Sequence, residues 1–193
     1  MLRRVIKFFL SLYYSIFFRV EINGTENLPK SGSYIIAPKH ISNNDAPILV
    51  GKLKRNDVYI LAKKELFVNG FVKWLAKKTN VLPVDRSGHD TTTIKQSLKI
   101  LREGKVLVLF PEGTRKGIEK NKRIHKGAIV IADMAGVPII PAGINSTFKL
   151  FSKIRINYGK PMYFEKKKLQ KEEIEEVTNK LRDEIIMLTN DGK

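Results

Sequence analysis

Apolar and polar residues along this 193-residue chain follow strand and helix periodicities in turn. Short apolar runs bounded by Gly, Pro or Asn predict strands, and apolar residues spaced three and four apart predict helices. The predicted strands are Val20–Asn23, Ser33–Pro38, Val58–Ala62, Val81–Val84, Val106–Phe110, Pro138–Ile144 and Ile154–Tyr158. The predicted helices are Ala46–Leu53, Phe71–Lys78, Thr91–Glu103, Ala128–Ala135 and 170–188. This alternation predicts a single α/β domain with a mixed, mostly parallel sheet and helices on both faces.

The N-terminal segment is dense in aromatic residues. Its uncharged part, Phe8–Phe18, has 11 residues, whereas a membrane-spanning helix needs about 20. No small-residue cleavage site of a signal peptide follows it. Aromatic rings with basic residues close by predict a helix over residues 1–20 that lies in a membrane interface, followed by a domain over 21–193. The alternative is a core helix that the domain covers.

The chain is strongly basic, with 36 Lys and Arg residues against 19 Asp and Glu and a formal net charge of +17. The excess is concentrated in residues 1–19, 52–78, 115–126 and 149–160, which favours a basic face for an anionic partner. Nucleic acid, an anionic bilayer, an acidic protein and a phosphorylated substrate all fit this charge. The sequence contains no Cys, which excludes disulfides, thiolate metal sites and a cysteine nucleophile.

Several common functional motifs are missing from the sequence. It has no phosphate-binding loop ending in Gly-Lys-Ser/Thr, no Gly-x-Gly-x-x-Gly and no His, Asp and Glu cluster with metal-ligand spacing. The basic strands with interleaved aromatic residues of an RNA-recognition module are also absent. We therefore expect no bound metal and no nucleic-acid partner.

The first chemically suggestive segment follows the predicted strand Ser33–Pro38 and contains His40 and, five residues on, Asp45. On a regular helix the two side chains would lie about 140° apart, so contact between them needs a turn. The Ser and Asn residues between them favour such a turn. An aspartate that accepts the imidazole N–H would make His40 a general base. The alternative is a surface turn in which Asp45 caps the following helix.

The second segment joins a predicted buried strand to the polar turn Pro111–Arg115. Gly113 permits unusual backbone angles, and the guanidinium of Arg115 offers two parallel hydrogen bonds to a phosphate. Glu112 is placed to orient that arginine or to bind a hydroxyl. Arg86 is a second arginine just beyond a strand. Together these residues indicate a phosphorylated acceptor, whereas the alternative is a strand-to-helix turn with a local ion pair.

These segments together resemble the glycerolipid acyltransferase family, specifically its 1-acylglycerol-3-phosphate (lysophosphatidate) acyltransferases. His40-x4-Asp45 matches the family's first motif and Val84–Arg86 resembles the end of its second. Phe110–Arg115 matches the third motif without a gap, and Val137–Pro141 is similar to the fourth. All four motifs occur in family order.

Three residues depart from the family's usual pattern. Lys39 stands where the family usually has Asn, Ile41 where a polar residue is common, and Asn80 where a glycine often opens the second motif. These departures concern acceptor preference more than reaction type.

The resemblance implies a reaction and a set of site residues. In that reaction His40 takes the proton from the sn-2 hydroxyl of lysophosphatidate, Asp45 orients the imidazole, and the acceptor attacks acyl-CoA or an acylated acyl carrier protein to give phosphatidate. No cofactor and no metal are required. The residues implied to bind the acceptor phosphate and glycerol are Arg86, Glu112, Gly113, Thr114 and Arg115. The residues implied as a wall of the acyl or acceptor pocket are Val137, Pro138, Ile139, Ile140 and Pro141.

The resemblance and the basic face also predict where the protein works. We expect a peripheral protein on the cytoplasmic face of an anionic membrane, the inner membrane of a prokaryote. One alternative is a related acyltransferase that uses glycerol-3-phosphate or another lysophospholipid as acceptor. An alternative from a different class is a non-catalytic basic module that only binds membranes.

Overall fold

A computed structural model gives the structure of the chain and describes residues 2–67, 69–84, 91–113, 124–164 and 169–190. The strands are β1 Arg19–Asn23, β2 Tyr34–Pro38, β3 Val58–Lys63, β4 Val81–Val84, β5 Val106–Val108, β6 Ile139–Ser146 and β7 Lys153–Tyr158. The helices are α1 Leu2–Phe17, α2 Asp45–Lys52, α3 Gly70–Thr79, α4 Thr91–Arg102, α5 Gly127–Ala135 and α6 Lys171–Thr189. Short 3-10 turns cover Thr25–Asn27 and Lys64–Leu66.

The strands of the described ranges form a seven-stranded sheet in the order β1-β7-β6-β2-β5-β3-β4. Neighbouring strands are parallel except for β6 and β7. The predicted α/β fold with a mixed, mostly parallel sheet is therefore confirmed. β5 ends at Val108, two residues before its predicted end, because the chain turns after Leu109 towards Pro111, which has no amide hydrogen to continue the ladder.

The central strand β2 separates two hydrophobic cores. All five of its residues are buried, as expected for a parallel strand covered on both faces. Tyr34 and Ile36 face the core beneath α1 and α2, whereas Ile35 and Ala37 face the core formed with α4, α5 and α6. This alternation follows from the two-residue period of a strand, and it confirms the prediction of helices on both faces.

The C-terminal helix α6 lies very close to β6. A Cβ at Gly143 would lie 2.3 Å from the carbonyl carbon of Leu188, so only glycine fits at this crossing. Leu181 and Ile185 of the predicted apolar stripe are fully buried. The helix begins with a capping box in which the amide of Gln170 donates to the carboxylate of Glu173.

The N-terminal helix α1 packs on α2 with one face and leaves the other exposed. Tyr14 and Phe18 are buried in the core, and Gly51 of α2 allows close contact with the backbone at Ser11. The predicted helix is confirmed, although it ends at Phe17 because residues from Arg19 onward belong to β1. The opposite face carries large exposed apolar side chains: Leu2, Val5, Phe8, Phe9, Leu12, Tyr13 and Ile16. Among the helices described, none is long and apolar enough to cross a bilayer.

Candidate active site

The turn between β2 and α2 brings His40 and Asp45 into contact. Nδ1 of His40 lies 2.8 Å from Oδ2 of Asp45. This contact is reached because residues 40–44 are not helical and Asp45 is the first residue of α2. The turn that the sequence predicts is therefore present.

Asp45 is fully buried and organises the whole turn. Its Oδ2 accepts the amide hydrogens of Ile41 (2.7 Å) and Ser42 (2.8 Å) in addition to the imidazole. Both amides precede α2, whose N-cap is Asn44, so Asp45 does not act as the N-cap of that helix. Because Oδ2 is an acceptor in all three contacts, the imidazole hydrogen belongs on Nδ1, and Nε2 keeps its lone pair.

A second turn holds the other side of the histidine. The ring of His40 packs on that of Phe110, with centroids 4.4 Å apart. The amide of His40 donates to Oε1 of Glu112 at 2.9 Å, and Glu112 is 5% exposed. These contacts arise because β2 and β5 are adjacent and parallel, so their carboxyl ends lie side by side. Gly113 adopts a φ of 65°, in agreement with the unusual backbone that the sequence predicts there.

Sequence analysis did not find the contribution of Tyr14. Its hydroxyl donates to Oδ1 of Asn44 at 3.1 Å, which links α1 to the turn that carries His40 and Asp45. Burial raises the pKa of Tyr14 to about 12, and the nearby Tyr13 and Asp45 add to this effect. Tyr14 therefore remains a hydrogen-bond donor at neutral pH. The aromatic pattern of α1 gave no signal that distinguished this tyrosine from its neighbours.

Residues 19–145 match the family model described as Acyltransferase. The chain is 33% identical to the 1-acyl-sn-glycerol-3-phosphate acyltransferase of Bacillus subtilis, over 75% of this chain and 74% of that protein. The chain belongs to the acyltransferase family. It is also 30% identical to the Streptococcus pneumoniae protein of the same name, over 94% of this chain and 70% of that one.

A solved structure supports the fold independently. The crystal structure of the 1-acyl-sn-glycerophosphate (LPA) acyltransferase PlsC from Thermotoga maritima aligns with a TM-score of 0.73. The alignment covers 96% of this chain and 79% of that one at 23% sequence identity, a likeness of fold. The predicted family and the assignment of the chain as an acyltransferase enzyme are confirmed by these relatives.

The predicted acceptor-binding residues are only partly described. Glu112 and Gly113 lie beside His40 as set out above, whereas Arg86, Thr114 and Arg115 lie outside the described residues. Their role in holding the acceptor phosphate stays a prediction. One carboxylate oxygen of Glu112 is bonded to the backbone of His40, so this residue positions the histidine whatever else it binds.

The fourth motif, Val137–Pro141, lies at the start of β6. Ile139 and Ile140 are fully buried in the two different cores, because neighbouring strand residues point to opposite faces. Pro141 pairs with Ala37 of β2. The five residues therefore do not share one surface, and their role as a wall of the acyl or acceptor pocket stays a prediction.

The family departure at Asn80 has a conformational explanation. Its φ of 60° lies in the left-handed region, where glycine is favoured and asparagine is the best-tolerated replacement. Its side-chain amide donates to the carbonyl of Val58 (3.2 Å), and its Oδ1 accepts from Arg3. Asn80 therefore keeps the backbone geometry of a glycine and adds a link to α1.

The residues that the structure describes also include carboxylate and imidazole groups of the kind that bind metals. Among these residues, no three His, Asp or Glu side chains come together in an arrangement that could hold a metal ion.

Proposed function

We propose that this chain transfers an acyl group from an acyl thioester to the sn-2 hydroxyl of lysophosphatidate, giving phosphatidate and a free thiol. The relatives from Bacillus subtilis and Streptococcus pneumoniae are named for this acceptor. The observation that carries the proposal is the contact between His40 and Asp45, which leaves Nε2 as the free nitrogen of a histidine at the end of a central strand.

Nε2 of His40 accepts the proton of the acceptor hydroxyl as its oxygen attacks the thioester carbonyl. The carbon–sulfur bond then breaks, and the thiolate takes the proton back from the imidazolium. Asp45 stabilises the imidazolium through its contact with Nδ1. The His40 side chain is 21% exposed, which allows a substrate to reach it, while Asp45 is shielded from water. No covalent acyl-enzyme is required.

Charge supports both an anionic acceptor and an anionic donor. Arg86 and Arg115 hold the acceptor phosphate in this proposal, with Glu112, Gly113 and Thr114 around it. Acyl-CoA and an acylated acyl carrier protein are both anionic and both fit the net charge of +17. The exposed face of α1 rests on the anionic lipid of the cytoplasmic membrane surface, where the acceptor lies.

A matrix of two donors and three acceptors tests this proposal. The purified chain is incubated with acyl-CoA or acyl carrier protein thioester and with lysophosphatidate, glycerol-3-phosphate or lysophosphatidylcholine, and the lipid products are identified by mass spectrometry. We expect phosphatidate from lysophosphatidate and loss of this product in His40→Ala. The matched control is His125→Ala, which removes an exposed imidazole and keeps the backbone bond of His125 to Pro111.

The other outcomes of the matrix assign the alternatives. Acylation of glycerol-3-phosphate or lysophosphatidylcholine without phosphatidate would assign a related acyltransferase. Consumption of no thioester with any acceptor, by a chain that still pellets with anionic vesicles, would assign a binding module. Near wild-type turnover in His40→Ala would remove His40 as the base.

A further inference from the structure

The connection between β6 and β7, residues 147–152, exposes large apolar side chains at its tip. Leu150 is 59% and Phe151 61% exposed, and Lys149 between Phe148 and Leu150 is exposed as well. A connection that served only to reverse the chain would carry small polar residues here. We refer to residues 147–152 as the β6–β7 loop.

The backbone of the β6–β7 loop is held in a costly conformation. Phe148 and Phe151 have φ values of 52° and 61°, a region that aromatic residues rarely adopt. Hydrogen bonds fix the loop in this state: the amide of Phe151 donates to the carbonyl of Phe17 at 2.8 Å, and that of Arg19 to the carbonyl of Ser152 at 3.1 Å. The loop is thus attached to the end of α1, and Phe151 is turned outward.

The exposed tip continues the apolar face of α1. At 100° per residue the seven exposed apolar side chains of that helix fall within an arc of about 140°. Phe18 bridges the two elements, because its ring lies 6.1 Å from that of Tyr13 on α1 and 6.4 Å from that of Phe148 in the loop. The helix face and the loop tip are therefore neighbouring parts of one apolar surface.

Exposed cations lie beside this apolar surface. Arg19 and Lys149 are exposed at the loop itself. Lys153 and Arg155, at the start of β7, are paired with Glu21 of β1. Apolar side chains flanked by exposed Lys and Arg fit the interface of an anionic bilayer, where the apolar groups enter the acyl region and the cations stay at the headgroups.

We propose that the β6–β7 loop inserts Leu150 and Phe151 into an anionic lipid surface, as a second contact point beside α1. This inference rests on the membrane contact of α1 in the proposed function. The second contact also fixes the orientation of the protein on the membrane. A protein held by a single helix on a surface is free to roll about the helix axis, whereas one held by a helix and a loop together is not.

The second contact point lies at the edge of the sheet that carries His40. Pro38 pairs with Ala142 of the parallel strand β6, and β6 runs four residues further to Ser146, about 13 Å at the rise of a strand. The loop therefore stands beyond His40 in the direction of the carboxyl ends. Attachment at α1 and at the loop holds this edge, and with it the histidine, at the surface where a lysophospholipid headgroup lies.

Vesicle partitioning and thioester consumption test the inference separately. The double variant Leu150→Ser/Phe151→Ser is compared with Met134→Ser, which changes a 56% exposed apolar residue on α5, on the opposite face of the sheet. Sedimentation with vesicles of equal parts phosphatidylglycerol and phosphatidylcholine should show partitioning at least about tenfold weaker in the double variant. Met134→Ser should match the wild type. Turnover on a short-chain, monomeric lysophosphatidate should remain within about twofold of the wild type, because Leu150 and Phe151 are exposed and the loop is held by hydrogen bonds to the end of α1.

A fluorescent probe checks insertion without relying on the stability of the double variant. In Phe151→Trp, made in a Trp74→Phe chain so that it holds a single tryptophan, anionic vesicles should shift the emission to the blue and brominated lipids should quench it. Unchanged partitioning of the double variant, or absence of the shift, would overturn the inference. If vesicle binding depends on the loop but the chain consumes no thioester, the membrane contact of the loop is supported and the proposed function is rejected. A change of oligomeric size without a change in vesicle binding would assign the surface to a second copy instead.

Discussion

Each edge of the sheet carries a basic side chain paired with a carboxylate, and the two pairs use their hydrogen bonds differently. At the carboxyl edge, Asp45 binds His40 and two amides of the turn, and Nε2 of His40 has no partner among the described residues. At the amino edge, Arg55 binds both carboxylate oxygens of Asp57 and the carbonyls of Gly32 and Gly104.

The pair of His40 and Asp45 is therefore available for chemistry, whereas the pair of Arg55 and Asp57 stabilises the fold. Arg55 ties together three segments that are distant in sequence, and its guanidinium also lies 5.7 Å from the centre of the Tyr34 ring. The hydrogen bond from Arg55 lowers the pKa of the Asp57 carboxyl, against a smaller opposing effect of burial. A short contact between a basic side chain and a carboxylate therefore does not identify a catalytic site by itself. What identifies it is Nε2 of His40, a nitrogen that has no partner among the described residues and is accessible to solvent.

The largest effect is expected at the carboxyl edge. Asp45→Asn removes the charge that stabilises an imidazolium, and it should lower turnover by about 10²–10⁴, the usual contribution of general acid–base catalysis. The measurement is initial-rate thioester consumption with saturating lysophosphatidate. Circular dichroism at the assay temperature serves as the control for folding. Turnover close to that of the wild type would make Asp45 a purely structural residue of the turn and would remove the distinction between the two pairs.

Arg55→Ala tests the amino edge. Loss of the guanidinium leaves Asp57 and two carbonyls without their donor, and the free energy of unfolding should fall by about 2–4 kcal/mol. Urea unfolding measures the change, and turnover per folded molecule should stay unchanged. The matched control is Lys63→Ala, which breaks a 3.7 Å surface pair with Glu65 and should cost less than about 0.5 kcal/mol. A loss of turnover in a folded Arg55→Ala protein would contradict the structural role.

A smaller effect on turnover is expected at Glu112, because its carboxylate accepts a hydrogen bond from the backbone amide of His40 and not from its ring. Glu112→Ala leaves the His40 amide without this acceptor and should lower kcat about tenfold with a smaller change in the KM for lysophosphatidate, the loss of about 1.4 kcal/mol expected for one such bond. Glu112→Gln keeps an acceptor oxygen and should restore most of the activity. If KM rises instead and Gln does not restore it, Glu112 acts mainly on the acceptor, as the sequence predicted.

The strands and helices could be predicted from sequence because each one has a local signature. β2 is a short apolar run bounded by Gly32 and Pro38, and α6 repeats its apolar residues at helical spacing. The turn of His40 and Asp45 was also accessible, since turn-forming residues separate the two. These features depend on neighbours within a few residues, which is the range over which such patterns carry information.

The contacts between distant segments could not be predicted in the same way. The bond from the His40 amide to Glu112 spans 72 residues and depends on β5 being placed beside β2. No periodicity in the chain specifies that strand order. The sequence also did not reveal which face of α1 is buried, because aromatic residues surround the helix. Only the packing of Tyr14 against α2 distinguishes the inner face from the outer one.

The smallest effect concerns the pH dependence of the amino-edge pair. The folded-state pKa of Asp57 lies below its ordinary value, so the pair stabilises the protein above the unfolded pKa of about 3.9. This stability is lost as the pH falls through the lower, folded-state value. The advantage of the wild type over Asp57→Asn in Tm should therefore be constant between pH 5 and 7 and shrink below about pH 4.

We expect that advantage to be only about 2–4 °C, because the Asp57 side chain is 39% exposed and water screens the pair. Thermal unfolding followed by circular dichroism at several pH values measures it, with Asp183→Asn as a control at a 71% exposed carboxylate on α6. An advantage that grows on acidification would mean that Asp57 binds its proton more readily in the folded state. In that case the amino-edge pair would not be the clamp, ionised at neutral pH, that distinguishes it from the dyad at the carboxyl edge.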